Sequence, residues 1–247
     1  MALSGLSIGI FRPGLLPTAL TFILLVLLSK LGFWQLDRAK QKETLKEQVV
    51  EQQKLPPLSY LPEGVENSSS LLWRRASLQG VSKTDIVFLL DNQVYQGQAG
   101  YFVYTVLKQE GGLNLLVNRG WIKAGLSRET VRVPDISGST ETLTGVIKAP
   151  PATGLLLAED TEESLSNGVV RLQQINPAKI NERYHMDIAP YVFRLEPPST
   201  SGFIRDWTAP GFGREKHLGY AFQWFAMAFA LFIIYIVVNT NRIKNDE

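Results

Sequence analysis

The chain has 247 residues, of which 45% are hydrophobic, and its 25 Lys and Arg against 23 Asp and Glu give a formal net charge of +2. This length allows one sizeable folded domain with residues left over for membrane segments. The basic residues are spread too evenly to indicate nucleic-acid binding. The lack of cysteine excludes disulfides, thiolate zinc sites and a cysteine nucleophile. With only His185 and His217, a histidine-rich metal site would need ligands from a partner.

The first apolar run covers residues 15–36 and predicts a membrane helix, transmembrane helix 1. Pro17 falls in the first turn, where proline is tolerated, and Lys30 lies near enough to the end for its amine to reach the headgroups. A cleaved signal peptide is the alternative. No small-x-small cleavage motif follows the run. We therefore expect an uncleaved anchor behind a short cytoplasmic N-terminus, residues 1–14.

Residues 37–70 are predicted to form a helical extension of this anchor, followed by a linker. Lys, Glu and Gln dominate from Arg38 to Gln53, which favours a solvated helix. Prolines from Pro56 to Pro62 then end the helix.

Residues 71–198 are predicted to form a β-rich soluble domain. Short runs of β-branched and aromatic residues alternate there with Gly and polar clusters, and Pro177 suits the first position of a short helix, 177–184. Short strands at regular spacing indicate a mainly antiparallel α+β sheet or a small barrel of about seven strands. The predicted strands are 73–81, 86–95, 101–107, 113–122, 142–149, 169–175 and 191–196.

The last long apolar run, residues 218–238, predicts transmembrane helix 2 after a return loop at 199–217. At about 1.5 Å per residue, a run of this length spans roughly the 30 Å core of a bilayer. The remaining segment, 239–247, is expected to be a cytoplasmic tail. The predicted fold class is therefore a membrane protein with two transmembrane α-helices that bracket a mainly antiparallel β soluble domain.

The start of the second run carries the best ligand chemistry in the sequence. On a helical wheel, His217, Ala221, Trp224 and Ala228 fall on one stripe. A flat cofactor or a partner helix could lie on this stripe, because the alanines allow a close approach and the indole offers a stacking face. An interfacial aromatic belt containing Tyr220 and Trp224 is the alternative.

The charge distribution does not settle the topology. Basic residues are more numerous beside the loop ends of the two apolar runs than beside the termini, which would place the large domain in the cytoplasm. Loops longer than about 60 residues are largely exempt from this rule. The orientation therefore cannot be predicted from charge bias alone.

Four stretches together resemble a bacterial member of the Surfeit locus protein 1 family, the assembly factors of haem-copper cytochrome c oxidase. The resemblance covers nearly the whole chain in order, and its specificity comes from four motifs in register with two terminal apolar runs. The stretches are Gly32-Phe33-Trp34-Gln35-Leu36-x-Arg38, Gly100-Tyr101-x-Val103-x-Thr105, Val117-Asn118-Arg119-Gly120-Trp121 and His217-Leu218-x-Tyr220-Ala221-x-x-Trp224-Phe225.

The resemblance implies two membrane helices around a soluble domain on the periplasmic side of the bacterial plasma (inner) membrane. It implies an assembly role in which haem a reaches the catalytic subunit of the oxidase, with haem a synthase as a second candidate partner. By the same resemblance, His217 is the proposed axial ligand. Glu215 and Lys216 stand where the family often has Asn, and Val106 stands where it often has Pro. Neither departure removes the candidate ligand.

A membrane hairpin would bring the end of the first helix and the start of the second to the same face of the bilayer. If haem a lies there, Trp34 or Trp224 could pack against the macrocycle. Contact with membrane lipid is the alternative for the nearby charges. Cations that could pair with the haem propionates are Arg38, Arg214 and Lys216.

The second axial position has no candidate in the chain. Met227 lies ten residues after His217, about 15 Å along a helix, which is too far for both side chains to bind one iron. No metal other than haem iron is predicted.

Two other function classes share parts of this layout. A two-pass extracytoplasmic sensor or binding protein without haem is the alternative function, although the nine residues after Val238 are expected to be too few for an output domain. A membrane hydrolase would need a nucleophile, and no Gly-x-Ser-x-Gly motif accompanies His185 and Asp187. We therefore predict no enzymatic activity. Arg119 and Arg194 lie in predicted strands and are expected to be structural.

Overall fold

The computed structural model describes residues 10–11, 13–61, 68–125, 131–151, 162–165, 168–197, 201–207 and 213–241. The chain folds into two compact units: Met1–Gln48 with Pro210–Glu247 contains the long helices, and Val49–Ala209 contains the sheet. The predicted fold class is confirmed, because two long apolar helices flank a mixed sheet domain along the chain. Apart from a 3₁₀ turn at Ser68–Leu71, the elements are β1 (Ile10–Phe11), α1 (Leu15–Lys54), β2 (Arg75–Tyr95), β3 (Gln98–Lys108), β4 (Asn114–Lys123), β5 (Thr140–Lys148), β6 (Glu163–Ser164), β7 (Val169–Leu172), α2 (Pro177–Tyr184), β8 (Ile188–Leu195), α3 (Arg214–Asn239) and β9 (Thr240–Asn241).

Helix α1 runs without interruption through the predicted anchor and its polar extension. Lys, Glu and Gln replace apolar residues after Leu36, and these residues retain helix propensity where the apolar pattern ends. Helices α1 and α3 are both long and apolar enough to cross a membrane, judged by length and composition. Large apolar side chains such as Phe22 and Phe229 are 66% and 67% exposed on them. Such apolar surfaces suit lipid better than water, which indicates membrane association.

Five strands close into a small barrel in the order β2–β3–β4–β8–β5. The ring closes because β2 pairs with both β3 and β5. All pairings within the ring are antiparallel except β4–β8. Strand β2 can serve two neighbours because it has 21 residues, of which Arg75–Val81 pair with β5 and Val81–Tyr95 with β3. The buried core of the barrel includes Leu78, Leu107, Leu115, Val117, Ile147, Tyr191 and Phe193.

A second core covers the outer face of β3, β4 and β8. Tyr104, Leu116 and Val192 pack there with Ile180 of helix α2. Strand β4 is therefore buried on both faces, with Leu115 in the barrel core and Leu116 in this outer core. The alternation of residues within β4 predicts only one apolar face. The second face is buried by elements from a distant part of the chain, which the sequence of β4 does not indicate.

A polar network around Arg119 lies within the barrel. The Arg119 guanidinium donates to Thr105 Oγ1 at 3.0 Å, to Glu141 Oε1 at 2.7 Å and to Ser82 Oγ. Ser82 Oγ also donates to Glu141 Oε1 at 2.6 Å. These four residues come from four different strands, so the network contributes to the register in which the barrel closes.

The residues beside Arg119 in β4 also form hydrogen bonds within the sheet unit. Asn118 Nδ2 donates to Tyr104 Oη, and the Gly120 N–H donates to Asn118 Oδ1, both at 3.0 Å. Gly120 has a φ of 128°, a backbone conformation that side chains with a Cβ rarely adopt. Trp121 Nε1 donates to Gln93 O at 3.0 Å. This motif therefore supports the strand pairing of the barrel.

Local predictions differ from the structure at three places in the sheet unit. The strand predicted at 169–175 ends at Leu172. The predicted strands 73–81 and 86–95 are one strand, because the polar residues Ser82 and Lys83 pair with β3 instead of forming a turn. The two-residue strand β6 is not predicted by the sequence, since two residues show no periodicity. Helix α2, by contrast, has the predicted bounds.

The helical unit also adds to the sequence-based description. The pattern places His217 just before transmembrane helix 2, whereas α3 begins at Arg214, so His217 lies in its first turn. Strands β1 and β9 pair with each other and have no counterpart in the predictions. Residues 1–9, Pro62 and the tail from 242 to 247 lie outside the described residues.

Acid is expected to destabilise the sheet unit through Glu141. Burial would raise the pKa of Glu141, but hydrogen bonds from Arg119 and Ser82 and the charge of Arg119 hold it below its ordinary value of 4.5. Between these two pKa values the unfolded state binds more protons, so this contribution to stability is present above pH 4.5 and is lost as the pH falls through the folded pKa. Tryptophan-fluorescence unfolding curves should show a weaker acid dependence for Glu141→Gln than for the parent.

The matched control is Glu110→Gln, which removes an exposed carboxylate near the end of β3. This variant should keep the acid dependence of the parent. Identical acid dependence in the parent and in Glu141→Gln would contradict the role assigned to the buried network.

Candidate functional site

Helices α1 and α3 approach closely at Gly32. A Cβ atom on Gly32 would lie 2.7 Å from the ring of Phe225, so the glycine makes room for this ring. The rings of Phe33 and Phe225 meet edge to face, with centroids 5.2 Å apart. On α3, Ala221 and Ala228 are buried, as small residues are where two helices pack closely. The sequence predicts that either a flat cofactor or another helix lies on the stripe of transmembrane helix 2. In the structure, helix α1 packs against α3 there.

His217 is hydrogen-bonded to Gln35 of α1. The distance between His217 Nδ1 and Gln35 Oε1 is 2.8 Å. Gln35 is only 9% exposed and directly follows Trp34 in the chain. Hydrogen bonds between side chains of membrane helices contribute about 0.6–2 kcal/mol. This contact joins two of the four signature stretches at one level of the helix pair.

The hydrogen bond fixes the tautomer of His217. The amide oxygen of Gln35 can only accept, so His217 Nδ1 carries the proton. In neutral imidazole the other nitrogen, Nε2, then has the unshared electron pair. No hydrogen bond engages Nε2 within the part of the chain that the structure describes. The ring is held in the tautomer that binds a metal through Nε2, as hydrogen-bonded partners do for metal-binding histidines.

The predicted cations have different partners. Arg214 Nε lies 2.9 Å from Glu43 Oε2, so this guanidinium forms an ion pair between the helices. The Arg38 guanidinium lies 5.6 Å from the centroid of the Trp34 ring. Lys216 is exposed. Within the described ranges, Arg38 and Lys216 are the two of these cations without a carboxylate partner.

The two predicted tryptophans lie at different levels. Trp34 is 49% exposed and adjoins Gln35. Trp224 is partly buried and follows His217 by seven residues, which is about 10 Å along a helix. The structure therefore brings Gln35 to His217, places Trp34 on the same turn of α1 as Gln35, and leaves Trp224 deeper along the apolar run.

Sequence reasoning placed Gln35 in a signature stretch without giving it a role, and it missed Glu43. Gln35 is the only amide in the first apolar run, 15–36, and a polar side chain in a membrane helix usually faces a partner. That signal could have identified it. Glu43 is one of several acids in a polar helix, so no local signal distinguishes it.

The other ends of the two helices are also joined. Thr18 Oγ1 lies 2.8 Å from Tyr235 Oη, and the Phe11 ring contacts the Tyr235 ring with centroids 5.8 Å apart. Strands β1 and β9 pair beside this contact. The helix pair is thus held at both ends, which limits sliding of His217 past Gln35.

His185 and Asp187, which the sequence analysis considered for a hydrolase, lie between α2 and β8 in the sheet unit. His185 is exposed and ends helix α2 with a φ of 51°, and Asp187 has a φ of 48°. No group of three or more His, Asp or Glu side chains that could hold a metal occurs among the described residues.

Comparison with known proteins identifies the family. The SURF1 family profile matches residues 22–229. An uncharacterized SURF1-like protein of Mycobacterium tuberculosis is 22% identical over 224 residues, which cover 87% of this chain and 79% of the relative. SURF1-like proteins of Rickettsia felis and Rickettsia bellii are 23% and 24% identical and cover 91% and 94% of this chain and 96% and 97% of their own lengths. The chain belongs to the SURF1 family, an assembly-factor family generally linked to cytochrome c oxidase.

Proposed function

We propose that this protein is a membrane-anchored assembly factor that assists the delivery of haem a to the catalytic subunit of a haem-copper cytochrome c oxidase. The observation that carries this proposal is the hydrogen bond between His217 and Gln35, 2.8 Å long. It leaves Nε2 of an imidazole at the start of a membrane helix with its electron pair available to a metal.

The residues around His217 suit a flat, anionic cofactor. Trp34 offers a half-exposed indole, and Arg38 and Lys216 offer cations for propionates. Arg214 is held by Glu43, so its guanidinium would contribute by positioning the two helices. Trp224 would pack only a group that extends along α3.

The close contact between Gly32 and Phe225 restricts where a macrocycle can lie. A planar group that meets His217 would therefore lie outside this contact between the two helices. Haem a supplies an iron centre that accepts the histidine nitrogen. His217 would hold the iron through one nitrogen, and such incomplete ligation would suit a carrier that must release its cargo.

The proposed location is the bacterial plasma membrane, with the sheet unit on the periplasmic side. Its proposed partners are the catalytic subunit of the oxidase and haem a synthase, since a carrier must receive haem a and pass it on. The two apolar helices support membrane association. The resemblance to the family supports the orientation and the partners.

The proposal is tested by purifying the full-length protein in detergent from cells that make haem a. We expect a Soret band in the optical spectrum, and we expect the extracted pigment to be haem a. Cells that cannot make haem a provide the control, and protein from them should lack this pigment. A colourless protein from haem a-producing cells would refute haem handling and leave an assembly role based on protein contacts.

A further inference from the structure

Lys148 and Arg194 form a pair of cations on the outer face of the sheet unit. Strands β5 and β8 place Lys148 opposite Val192 and Arg194 opposite Val146. The two cations are therefore diagonal neighbours on one face, a relation in which residues lie about 7–8 Å apart. Both side chains are partly buried. Burial, together with the charge of Arg194, lowers the pKa of Lys148 to about 7.

No carboxylate neutralises this pair in the described part of the chain. Neither Lys148 nor Arg194 makes an ion pair or a side-chain hydrogen bond there. By contrast, the guanidinium groups of Arg75, Arg119 and Arg171 each contact a glutamate. Partly burying two like charges without a counterion costs stability. The pair therefore lacks a counterion among the described residues, and an anion from outside the fold could supply one.

Each cation is held against an indole ring. The Lys148 ammonium lies over the ring of Trp73, and the Arg194 guanidinium lies 5.0 Å from the centroid of the Trp207 ring. Trp73 has a φ of 72°, which is unfavourable for a residue with a bulky side chain. The Trp207 ring is fixed by a 2.6 Å hydrogen bond from Nε1 to Leu195 O. The two cations thus sit on positioned aromatic surfaces.

We propose that Lys148 and Arg194 bind an extended acidic segment of a partner protein whose carboxylates are two residues apart. In an extended chain, residues i and i+2 point to the same side and lie roughly 6.6 Å apart. This distance is close to the separation of diagonal neighbours in a sheet. The indoles of Trp73 and Trp207 offer apolar surface to the methylene groups of the acidic side chains.

This surface is independent of the proposed haem site, because it uses none of the residues around His217. The test uses the full-length protein in nanodiscs of zwitterionic lipid at low salt and pH 6, where Lys148, with a pKa of about 7, is charged. The probes are two fluorescein-labelled octapeptides of equal charge. One alternates Glu and Ser, and the other repeats Glu-Glu-Ser-Ser, in which no two glutamates are two residues apart. Fluorescence anisotropy reports the binding of each peptide.

We expect the alternating peptide to bind at least about threefold more tightly than the other peptide. The double variant Lys148→Gln with Arg194→Gln should weaken its binding about tenfold or more, because charge-assisted hydrogen bonds are lost. Lys148→Arg should retain binding, since it keeps the charge. The matched control, Lys108→Gln with Lys123→Gln, removes two exposed cations elsewhere on the sheet unit and should stay within about twofold of the parent.

Three results would overturn the proposal. The first is equal affinity of the parent for the two peptides, or no binding of either. The second is equal weakening by the two double variants, since general charge attraction would then explain binding. The third is loss of peptide binding by both the parent and Lys108→Gln with Lys123→Gln when anionic lipid replaces zwitterionic lipid. Lipid headgroups would then occupy the cation pair.

Discussion

Replacing Gly100 by valine is expected to prevent the barrel from closing. A Cβ atom on Gly100 would overlap with the backbone oxygen of Ile122 and with the ring of Trp121, both on the neighbouring strand β4. A backbone atom in a paired strand cannot move aside without disturbing the pairing. The substitution should therefore cost more than about 3 kcal/mol, a large part of the roughly 5–15 kcal/mol that stabilises a typical domain. Limited trypsin digestion of the full-length protein in detergent should cut the variant within Val49–Ala209 under conditions that spare the parent.

Gly138→Val is the matched control for this experiment. Gly138 is exposed, and the nearest atom to an added Cβ would be Thr84 Oγ1 at 3.8 Å. Surface substitutions of this kind usually change stability by less than about 0.5 kcal/mol, so the digestion pattern should match that of the parent. If Gly100→Val resists trypsin as well as Gly138→Val does, the prediction is wrong. The β4 backbone at Ile122 would then be able to shift and accommodate the added side chain.

The four signature stretches have two kinds of role. Gly100 allows β3 to approach Trp121, and Arg119 joins four strands within the barrel. These two stretches in the sheet unit therefore support the fold. The other two stretches contain Gln35 and His217, which meet in the helical unit. A match to the family thus combines constraints on the barrel with constraints on the candidate ligand.

Local elements could be predicted from sequence where the signal lies within a few neighbouring residues. Helix α2 is an example, because Pro177 begins it and the Asn176 side chain accepts hydrogen bonds from the N–H groups of its first turn. The continuity of β2 could not be predicted in the same way. Its polar middle looks like a turn, and only pairing of Ser82 with Leu107 shows that the strand continues.

Closure of the barrel depends on partners that are distant in the sequence. The parallel pairing of β4 with β8 brings Val117 next to Phe193, and no periodicity within either strand indicates that neighbour. The candidate site has the same property. His217 could be singled out by resemblance, but its partner Gln35 is 182 positions away. A lone amide in an apolar run indicates that a partner exists without identifying it.

Removal of His217 is expected to abolish co-purification of haem a, and removal of its partner Gln35 is expected to weaken it. His217→Ala deletes the proposed axial nitrogen while leaving the apolar length of α3 unchanged. Gln35→Leu keeps the imidazole but removes the acceptor that fixes its tautomer. Loss of such a partner typically lowers metal affinity by about 10–100-fold. The measurements are the haem a content per protein and the position of the Soret band.

Gln35→Glu and Gln41→Leu separate the hydrogen bond from general effects on the helix. Glu at position 35 retains an acceptor for the His217 Nδ1–H, so this variant should keep more haem a than Gln35→Leu. Gln41 is exposed and bonds to Asp37 and Arg38 rather than to the histidine, so its loss should leave the haem content unchanged. Unchanged haem content and an unchanged Soret band in His217→Ala would refute the ligand assignment. Equal losses in Gln35→Leu and Gln41→Leu would refute the role of the interhelical hydrogen bond, because only one of these amides contacts His217.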